Sequence, residues 1–180
     1  MVAPTAKTLP IPPSAIAGRG VVHQFDVNEA LGVLRCGEIP EDASLELLNG
    51  FLVHIDRSAV GGDSTMHSPG HRKSVRKLTA LAAHIDTATR HVQIQSPIIC
   101  GKRQMPEPDF AIVKGSDDDY TDRLPAAADT HCVIEVADSS WERDRNEKLP
   151  IYAQAGVPQY IILNLRSRSA EVFERPSEET

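Results

Sequence analysis

Apolar residues recur along the chain with two spacings, and each spacing predicts one kind of element. Steps of three and four residues are typical of one face of a helix, whereas alternation or a short continuous run is typical of a strand. Three helices are predicted. The first follows the capping pair Asp26 and Glu29, the second spans about 71–86 and the third spans 141–154. The predicted strands are 45–48, 51–55, 92–95 with a continuation at 98–99, 109–113, 132–137, 160–163 and 170–174. This mixture predicts an α/β or α+β fold in which helices cover a sheet.

The same pattern divides the chain into an arm and a domain. Residues 1–20 carry four prolines among small residues, so we expect a flexible N-terminal arm there. Residues 21–180 are long enough to bury the core of one domain. Within that domain Asn49-Gly50 favours a tight hairpin turn, and 115–130 is expected to be a polar loop.

Composition excludes several classes of protein. With 41% apolar and 24% charged residues, the chain is not expected to be disordered. No apolar run is long enough to span a membrane, and the first residues lack the apolar segment of a secretory signal. The three cysteines are scattered, without the spacing of a zinc module or a disulfide framework. A reducing cytoplasm is therefore the expected location.

The charge balance is acidic, at -6, which taken alone disfavours a general nucleic-acid binder. Aromatic residues make up only 4% of the chain, too few for a base-stacking platform. One basic cluster stands out on the predicted second helix, formed by Arg72, Lys73, Arg76 and Lys77. It is either a solvated helix face or a set of phosphate contacts.

Two acids occupy positions where a strand would normally be apolar. Glu135 interrupts a run of Cys, Val, Ile and Ala, and Asp109 opens another short apolar strand. Burying a carboxylate without a partner is costly, and two neighbouring carboxylates repel unless a hard cation lies between them. Lys148 on the following helix could face the same point. A divalent ion together with a lysine suits phosphodiester hydrolysis, because the ion activates a water and the lysine offsets phosphate charge.

Several segments together carry a family resemblance. They are Pro108-Asp109, Glu135-Val136-Ala137-Asp138-Ser139-Ser140, Asp144 and the stretch from Lys148 to Tyr160, preceded by Leu45-Glu46-Leu47-Leu48-Asn49-Gly50 and Ser68-Pro69-Gly70-His71. Over roughly residues 25–175 the chain resembles the Uma2 family, also called DUF820, of restriction endonuclease-like proteins. The resemblance implies a PD-(D/E)XK nuclease fold, which is a mixed β-sheet flanked by helices.

The resemblance also implies a site. Asp109 and Glu135 would be ligands of Mg²⁺, with Mn²⁺ as an alternative, and the Val136 carbonyl would be a third ligand. Glu46 would be an outer acid of the site. The usual lysine two residues after the glutamate is replaced by Ala137, so the matching lysine is Lys148 on the helix. His71 and the basic cluster after it are candidates for contact with DNA.

Each candidate also has a structural explanation. Glu135 could form an ion pair with Lys148 or an arginine, and Asp109 could cap a loop. Lys148 could be a solvated helix lysine, and Glu46 could pair across the hairpin. Asp144 is best explained as an acid in the first turn of a helix, favoured by the helix dipole.

Two further patterns are weak. His67 and His71 have the spacing of a zinc pair, but Pro69-Gly70 between them disfavours a shared helical face. The run Asp117–Asp119 lacks the glycine and glutamate of an EF-hand and is expected to be a solvated turn. Tyr152 is expected to be a core residue.

The sequence therefore favours a metal-dependent DNA endonuclease. A homodimer would suit it, since duplex cleavage needs two active sites or two visits. The alternative from another class is a nuclease-like fold that has become a binding or regulatory module, favoured by the acidic surface. A nuclease acting on RNA or on a nucleotide is a third reading, and no sequence feature decides between these nucleic acids.

Overall fold

The computed structural model describes residues 22–39, 43, 45–54, 68–85 and 89–174. In chain order its helices and strands are α1 (Val27–Arg35), β1 (Leu45–Leu48), β2 (Phe51–His54), α2 (Pro69–Ile85), β3 (Arg90–Ile94), β4 (Phe110–Lys114), β5 (Thr130–Ala137), α3 (Trp141–Arg143), α4 (Leu149–Ala155), β6 (Gln159–Asn164) and β7 (Ser169–Glu174). A π-helical turn, Asp144–Lys148, joins α3 to α4 into one helical run. The predicted N-terminal arm and His67 lie outside the described residues.

The main sheet is mixed. Its strand order is β3-β4-β5-β6-β7, with β5 and β6 parallel and the other neighbours antiparallel. The helical run between β5 and β6 supplies the crossover that a parallel pair requires. The predicted mixture of helices and strands is thus confirmed as an α+β fold. Among the described residues no helix is long and apolar enough to cross a membrane.

The β1–β2 hairpin forms a separate two-stranded sheet. Its turn residues Asn49 and Gly50 have φ of 53° and 81°, the positive values that the predicted turn needs. Leu47 exchanges backbone hydrogen bonds with Met105, at 3.1 and 2.8 Å, which ties the hairpin to the extended segment before β4. Helix α1 begins at the predicted Asp26–Glu29 capping box. Its Ala30 is buried in one hydrophobic cluster with Leu47 and Met105. The hairpin is therefore held next to the start of β4.

The principal core lies between the main sheet and the helical run. Val133 and Ala137 of β5 pack with Tyr152 of α4 and Tyr160 of β6, all of them buried. Because side chains alternate along a strand, Glu135 lies on the same face of β5 as Val133 and Ala137. The sequence places a carboxylate in the middle of a buried face, directly below a helix.

Three expectations need correction. Residues 98–99 do not continue β3: Ile99 forms only an isolated bridge to Ala126, because Gln95 takes a positive φ of 47° and Pro97 has no N–H to donate. The predicted polar loop 115–130 contains two short 3₁₀ turns, Asp117–Tyr120 and Ala127–Asp129. The third helix is interrupted by the π-helical turn just before Pro150, the residue that cannot donate to the preceding turn.

Candidate active site

Four segments distant in the sequence bring the candidate acids and the lysine together. Asp109 directly precedes β4, Glu135 lies within the adjacent strand β5, and Glu46 lies on β1 of the hairpin. The Val136 N–H donates to Oδ2 of Asp109 at 2.8 Å, which fixes the Asp109 carboxylate against β5. Lys148, the last residue of the π-helical turn, reaches into the same region.

Lys148 is held by two carboxylates. Its Nζ lies 2.6 Å from Oε1 of Glu46 and 2.8 Å from Oε1 of Glu135. The Lys148 and Glu46 side chains are 2% and 0% exposed, so these ion pairs are shielded from water. The expectation of an ion pair between Glu135 and Lys148 is confirmed, and the alternative of a solvated helix lysine is wrong. Glu46 does not pair across the hairpin with a charged side chain, since its register partner is Val53.

Burial and charge act against each other in this cluster. Burial raises the pKa of Glu135 well above 4.5; Lys148 counteracts this, while Asp144, Asp109 and Glu46 add to it. For Lys148 burial favours loss of the proton, but Glu135 and Glu46 outweigh it and its pKa is raised. Lys148 therefore keeps its proton and its positive charge. Glu135 is the partner that more readily loses its charge, by taking up a proton.

Tyr152 adds a hydrogen bond to this cluster. Its hydroxyl donates to Oε1 of Glu135 at 3.3 Å, the same oxygen that Lys148 contacts. Burial raises the pKa of Tyr152 well above 10.0, so the hydroxyl keeps its proton and remains a donor. The sequence correctly predicted a core residue but gave no signal for this bond, because the tyrosine meets Glu135 only after the crossover between β5 and β6 has formed.

The Asp109 carboxylate has a different set of partners. Its Oδ1 lies 3.0 Å from Nε2 of His71, and Nδ1 of the same ring donates to the Val136 carbonyl at 2.8 Å. Burial raises the pKa of Asp109, but the contact with His71 and the Val136 N–H outweigh burial, and the net shift is downward. His71 is 8% exposed, which makes it a buried neighbour of Asp109. The spacing between His71 and the acids along the chain does not indicate this contact.

The π-helical turn aims two charged residues inward. Its Leu149 N–H donates to the Asp144 carbonyl, which widens the turn and buries both Asp144 and Lys148. Asp144 accepts a hydrogen bond from Ser140 Oγ at 2.6 Å, and burial raises its pKa. Asp144 lies in a first turn of the helical run, as expected, but it is 1% exposed and belongs to the buried acidic cluster. Widened helical turns of this kind are frequent at functional sites.

The donor set is suited to a hard divalent cation. Oε2 of Glu46 is buried and has no hydrogen-bond partner within the described part of the chain. Oε2 of Glu135 receives no hydrogen bond from the described residues, since Lys148 and Tyr152 both donate to Oε1. Oxygen atoms of this kind are the ligands that Mg²⁺ prefers. Among the described residues no three His, Cys, Asp or Glu side chains are arranged around one point, although Mg²⁺ is commonly held by one or two carboxylates and substrate phosphates.

Helix α2 carries an exposed basic face. Arg72, Lys73, Arg76 and Lys77 are all exposed on α2, the helix whose His71 contacts Asp109. This arrangement is compatible with phosphate contacts beside the buried acids. The other acidic run lies apart: Asp117–Asp119 is exposed in a 3₁₀ turn, where Asp119 accepts from the Ser116 N–H, as expected for a solvated turn.

Comparison with known proteins identifies the fold and the family of the chain. The crystal structure of a putative nuclease belonging to DUF820 from Anabaena variabilis ATCC 29413 is similar in fold, with a TM-score of 0.57 and 12% sequence identity over 87% of this chain and 88% of that one. No curated protein matches the chain. The family model of Uma2, described as putative restriction endonuclease, matches residues 36–180. Since this match covers most of the sequence, the chain belongs to the Uma2 family.

Proposed function

We propose that the protein is a metal-dependent endonuclease that hydrolyses phosphodiester bonds in DNA. The observation that carries this proposal is the buried cluster in which Lys148 lies between Glu46 and Glu135 while Asp109 is fixed on the adjacent strand. A protein seldom buries so many charges for stability alone, because the cost of desolvation often exceeds the gain from pairing. Membership of a family of nuclease-like proteins supports the same reading.

In this proposal Asp109, Glu135 and the Val136 carbonyl hold the metal ion, with Mg²⁺ expected and Mn²⁺ as an alternative. When bound, the ion would polarise the scissile phosphate and lower the pKa of a water molecule. Asp109 is suited to this because its lowered pKa keeps it ionised, and His71 holds its carboxylate in place. Glu135 presents Oε2, the oxygen that neither Lys148 nor Tyr152 occupies.

Lys148 has an electrostatic part in this scheme. Because its pKa is raised, it stays protonated and donates hydrogen bonds rather than removing a proton from water. It can thus orient the water and offset negative charge on the phosphate. Glu46 holds the lysine at 2.6 Å and also accepts the Glu107 N–H at 2.8 Å, so it connects the lysine to the segment that leads into Asp109.

The test is cleavage of plasmid and linear DNA by purified protein with Mg²⁺ or Mn²⁺, and without either ion. We expect cleavage that depends on the ion and that disappears in Asp109→Ala and Glu135→Ala variants whose circular dichroism spectra match the wild type. Asp118→Ala, which removes an exposed acid from the solvated 3₁₀ turn, is the matched control and should cleave normally. If the wild-type protein cuts no form of DNA with either ion, the enzymatic proposal is wrong.

The rival function is a nuclease-like fold that binds without cutting. It is favoured by the way Lys148 neutralises Glu135 and by the acidic charge of -6. Calorimetric titration with Mn²⁺ separates the two functions: the endonuclease requires a binding isotherm that Asp109→Ala removes, whereas an inactive module shows no such site. The same preparation should be offered RNA, since cleavage of RNA alone would replace DNA as the substrate.

Two further parts of the proposal concern the setting of the enzyme. Cys36, Cys100 and Cys132 are free thiols, which suits a reducing compartment and supports a cytoplasmic location. A homodimer would bring two active sites to the two strands of a duplex. Sedimentation with and without a short DNA duplex measures this directly: a mass of one chain in both conditions would exclude the dimer.

A further inference from the structure

Arg143 is the last residue of α3 and stands directly before the π-helical turn. Its side chain is half-buried, and its Nε is fully buried without a hydrogen-bond partner in the segments that the structure describes. Among the described residues no carboxylate comes within ion-pair distance of its guanidinium. A buried polar nitrogen left unsatisfied costs free energy and calls for an explanation.

The other cations of the same helical run have partners. Arg145 forms an ion pair with Glu171 and lies 5.8 Å from the centre of the Trp141 ring. Lys148 is engaged by two carboxylates, so most of its charge is compensated within the protein. Arg143 is therefore the cation of this run whose hydrogen-bonding capacity remains available to a ligand.

Arg143 lies beside the acidic cluster without joining it. Burial alone would lower its pKa, but the charges of Glu46, Asp144 and Glu135 outweigh burial and raise it, so the guanidinium is charged. Glu46 cannot offer Arg143 its Oε1, because that oxygen already receives Lys148 and the Glu107 N–H. Arg143 as a whole is only half-buried, so part of its side chain beyond the buried Nε has access to solvent. A charged guanidinium with access to solvent thus accompanies the buried acids.

We propose that Arg143 binds the phosphate of the substrate, with its guanidinium donating to the non-bridging oxygens of the phosphodiester that enters the site. This rests on the proposed function and deepens it by assigning the substrate's negative charge to a particular residue. An arginine suits this task better than a lysine, because its planar fork can donate two parallel hydrogen bonds to a phosphate. A bound phosphate would also offer Arg143 the hydrogen-bond acceptors that the described residues do not provide.

The experiment measures the affinity for a short DNA duplex as a function of salt, with Ca²⁺ in place of Mg²⁺ or Mn²⁺. The variants are Arg143→Gln, Arg143→Lys and, as a matched control, Arg145→Gln, whose charge is already paired with Glu171. We expect Arg143→Gln to weaken binding by about tenfold to a hundredfold and to reduce the slope of log K against log salt by about 0.9. Arg143→Lys should keep the slope and lose part of the affinity, and Arg145→Gln should change the slope little.

The salt slope distinguishes a phosphate contact from a structural role. If Arg143→Gln binds with the wild-type affinity and slope while the wild-type protein cleaves DNA, the phosphate assignment is wrong and the endonuclease proposal stands. If affinity falls together with the unfolding temperature but the slope is unchanged, Arg143 is structural and the assignment is also wrong. If the expected slope change appears in a protein that never cleaves, the assignment holds and the enzymatic proposal fails. A wild-type protein that binds no DNA overturns both.

Discussion

Asp109 and Glu135 are buried acids on adjacent strands, yet their surroundings drive their pKa values in opposite directions. Asp109 accepts the Val136 N–H and lies 3.0 Å from His71, and these contacts lower its pKa in spite of burial. Burial raises the pKa of Glu135, and three neighbouring acids add to this increase. Lys148, which Glu135 shares with Glu46, counteracts it only in part. Pairs of acids whose surroundings move their pKa values apart are typical of catalytic sites. The difference shows that specific contacts outweigh burial at Asp109, whereas burial prevails at Glu135 although Lys148 contacts it.

The largest loss of stability is expected from replacing Lys148, the cation that is paired with Glu135. Lys148→Met leaves Glu46 and Glu135 buried without their partner, and we expect a loss of about 3–5 kcal/mol in the free energy of unfolding. Urea denaturation at neutral pH measures this. Lys114→Met is the control, because Lys114 is exposed and donates only to a backbone carbonyl. Adding Glu135→Gln to Lys148→Met should recover part of the loss, and an unchanged stability in the single variant would contradict the ion pairs.

A milder change compares the two acids directly. Asp109→Asn removes the charge that His71 and the Val136 N–H stabilise, and should cost about 1–3 kcal/mol. Glu135→Gln removes a charge that burial disfavours and leaves Lys148 paired with Glu46, so its cost at neutral pH should be smaller. Thermal unfolding of both variants under one condition gives the order. A larger loss for Glu135→Gln than for Asp109→Asn would overturn the comparison.

The same difference predicts opposite responses to pH. The folded pKa of Asp109 lies below its ordinary value of 3.8, so its contribution to stability is present above that value and is lost as the pH falls through the folded pKa. The folded pKa of Glu135 lies above 4.5, so the folded state takes up this proton first and gains stability as the pH falls toward 4.5. The wild type should therefore gain stability relative to Glu135→Gln as the pH falls from about 8 to about 5, so the difference between their unfolding free energies changes across that range. A constant difference between them across that range would contradict the raised pKa.

The smallest effects are expected outside the buried cluster, on α2. Lys73→Gln and Arg76→Gln remove exposed charges from this helix and should leave stability within about 0.5 kcal/mol of the wild type. If this face contacts DNA, each change should reduce the salt slope of binding by about 0.9. Lys114→Gln serves as the exposed control at the end of β4. An unchanged slope in both α2 variants would identify the basic cluster as a solvated helix face.

Local patterns were sufficient to predict most of the elements. The capping box at Asp26 and Glu29 and the positive φ values at Asn49 and Gly50 depend on neighbours within a few residues, and the structure confirms them. The end of β3 was predicted wrongly because Gln95 takes a left-handed conformation that no residue preference required. The π-helical turn was not predicted for a similar reason. Pro150 explains a missing hydrogen bond, but it does not determine the direction in which the turn widens.

For the candidate site, the pattern of residues singled out Asp109 and Glu135, because a carboxylate in or beside a short apolar strand is unusual, and Lys148 as a cation on the following helix. Glu46 was added by the family resemblance. The apolar neighbours placed Glu135 within a strand, which the structure confirms, and Asp109 at the start of one, whereas Asp109 lies directly before β4. Only the tertiary structure decided that Lys148 lies between Glu46 and Glu135, that His71 contacts Asp109, and that Arg143 forms no ion pair with any of the described residues. These contacts join residues far apart in the chain, and they arise from the docking of the hairpin, α2 and the helical run on the sheet. Charge and burial are properties of that assembled environment, so no local pattern of residues could have determined them.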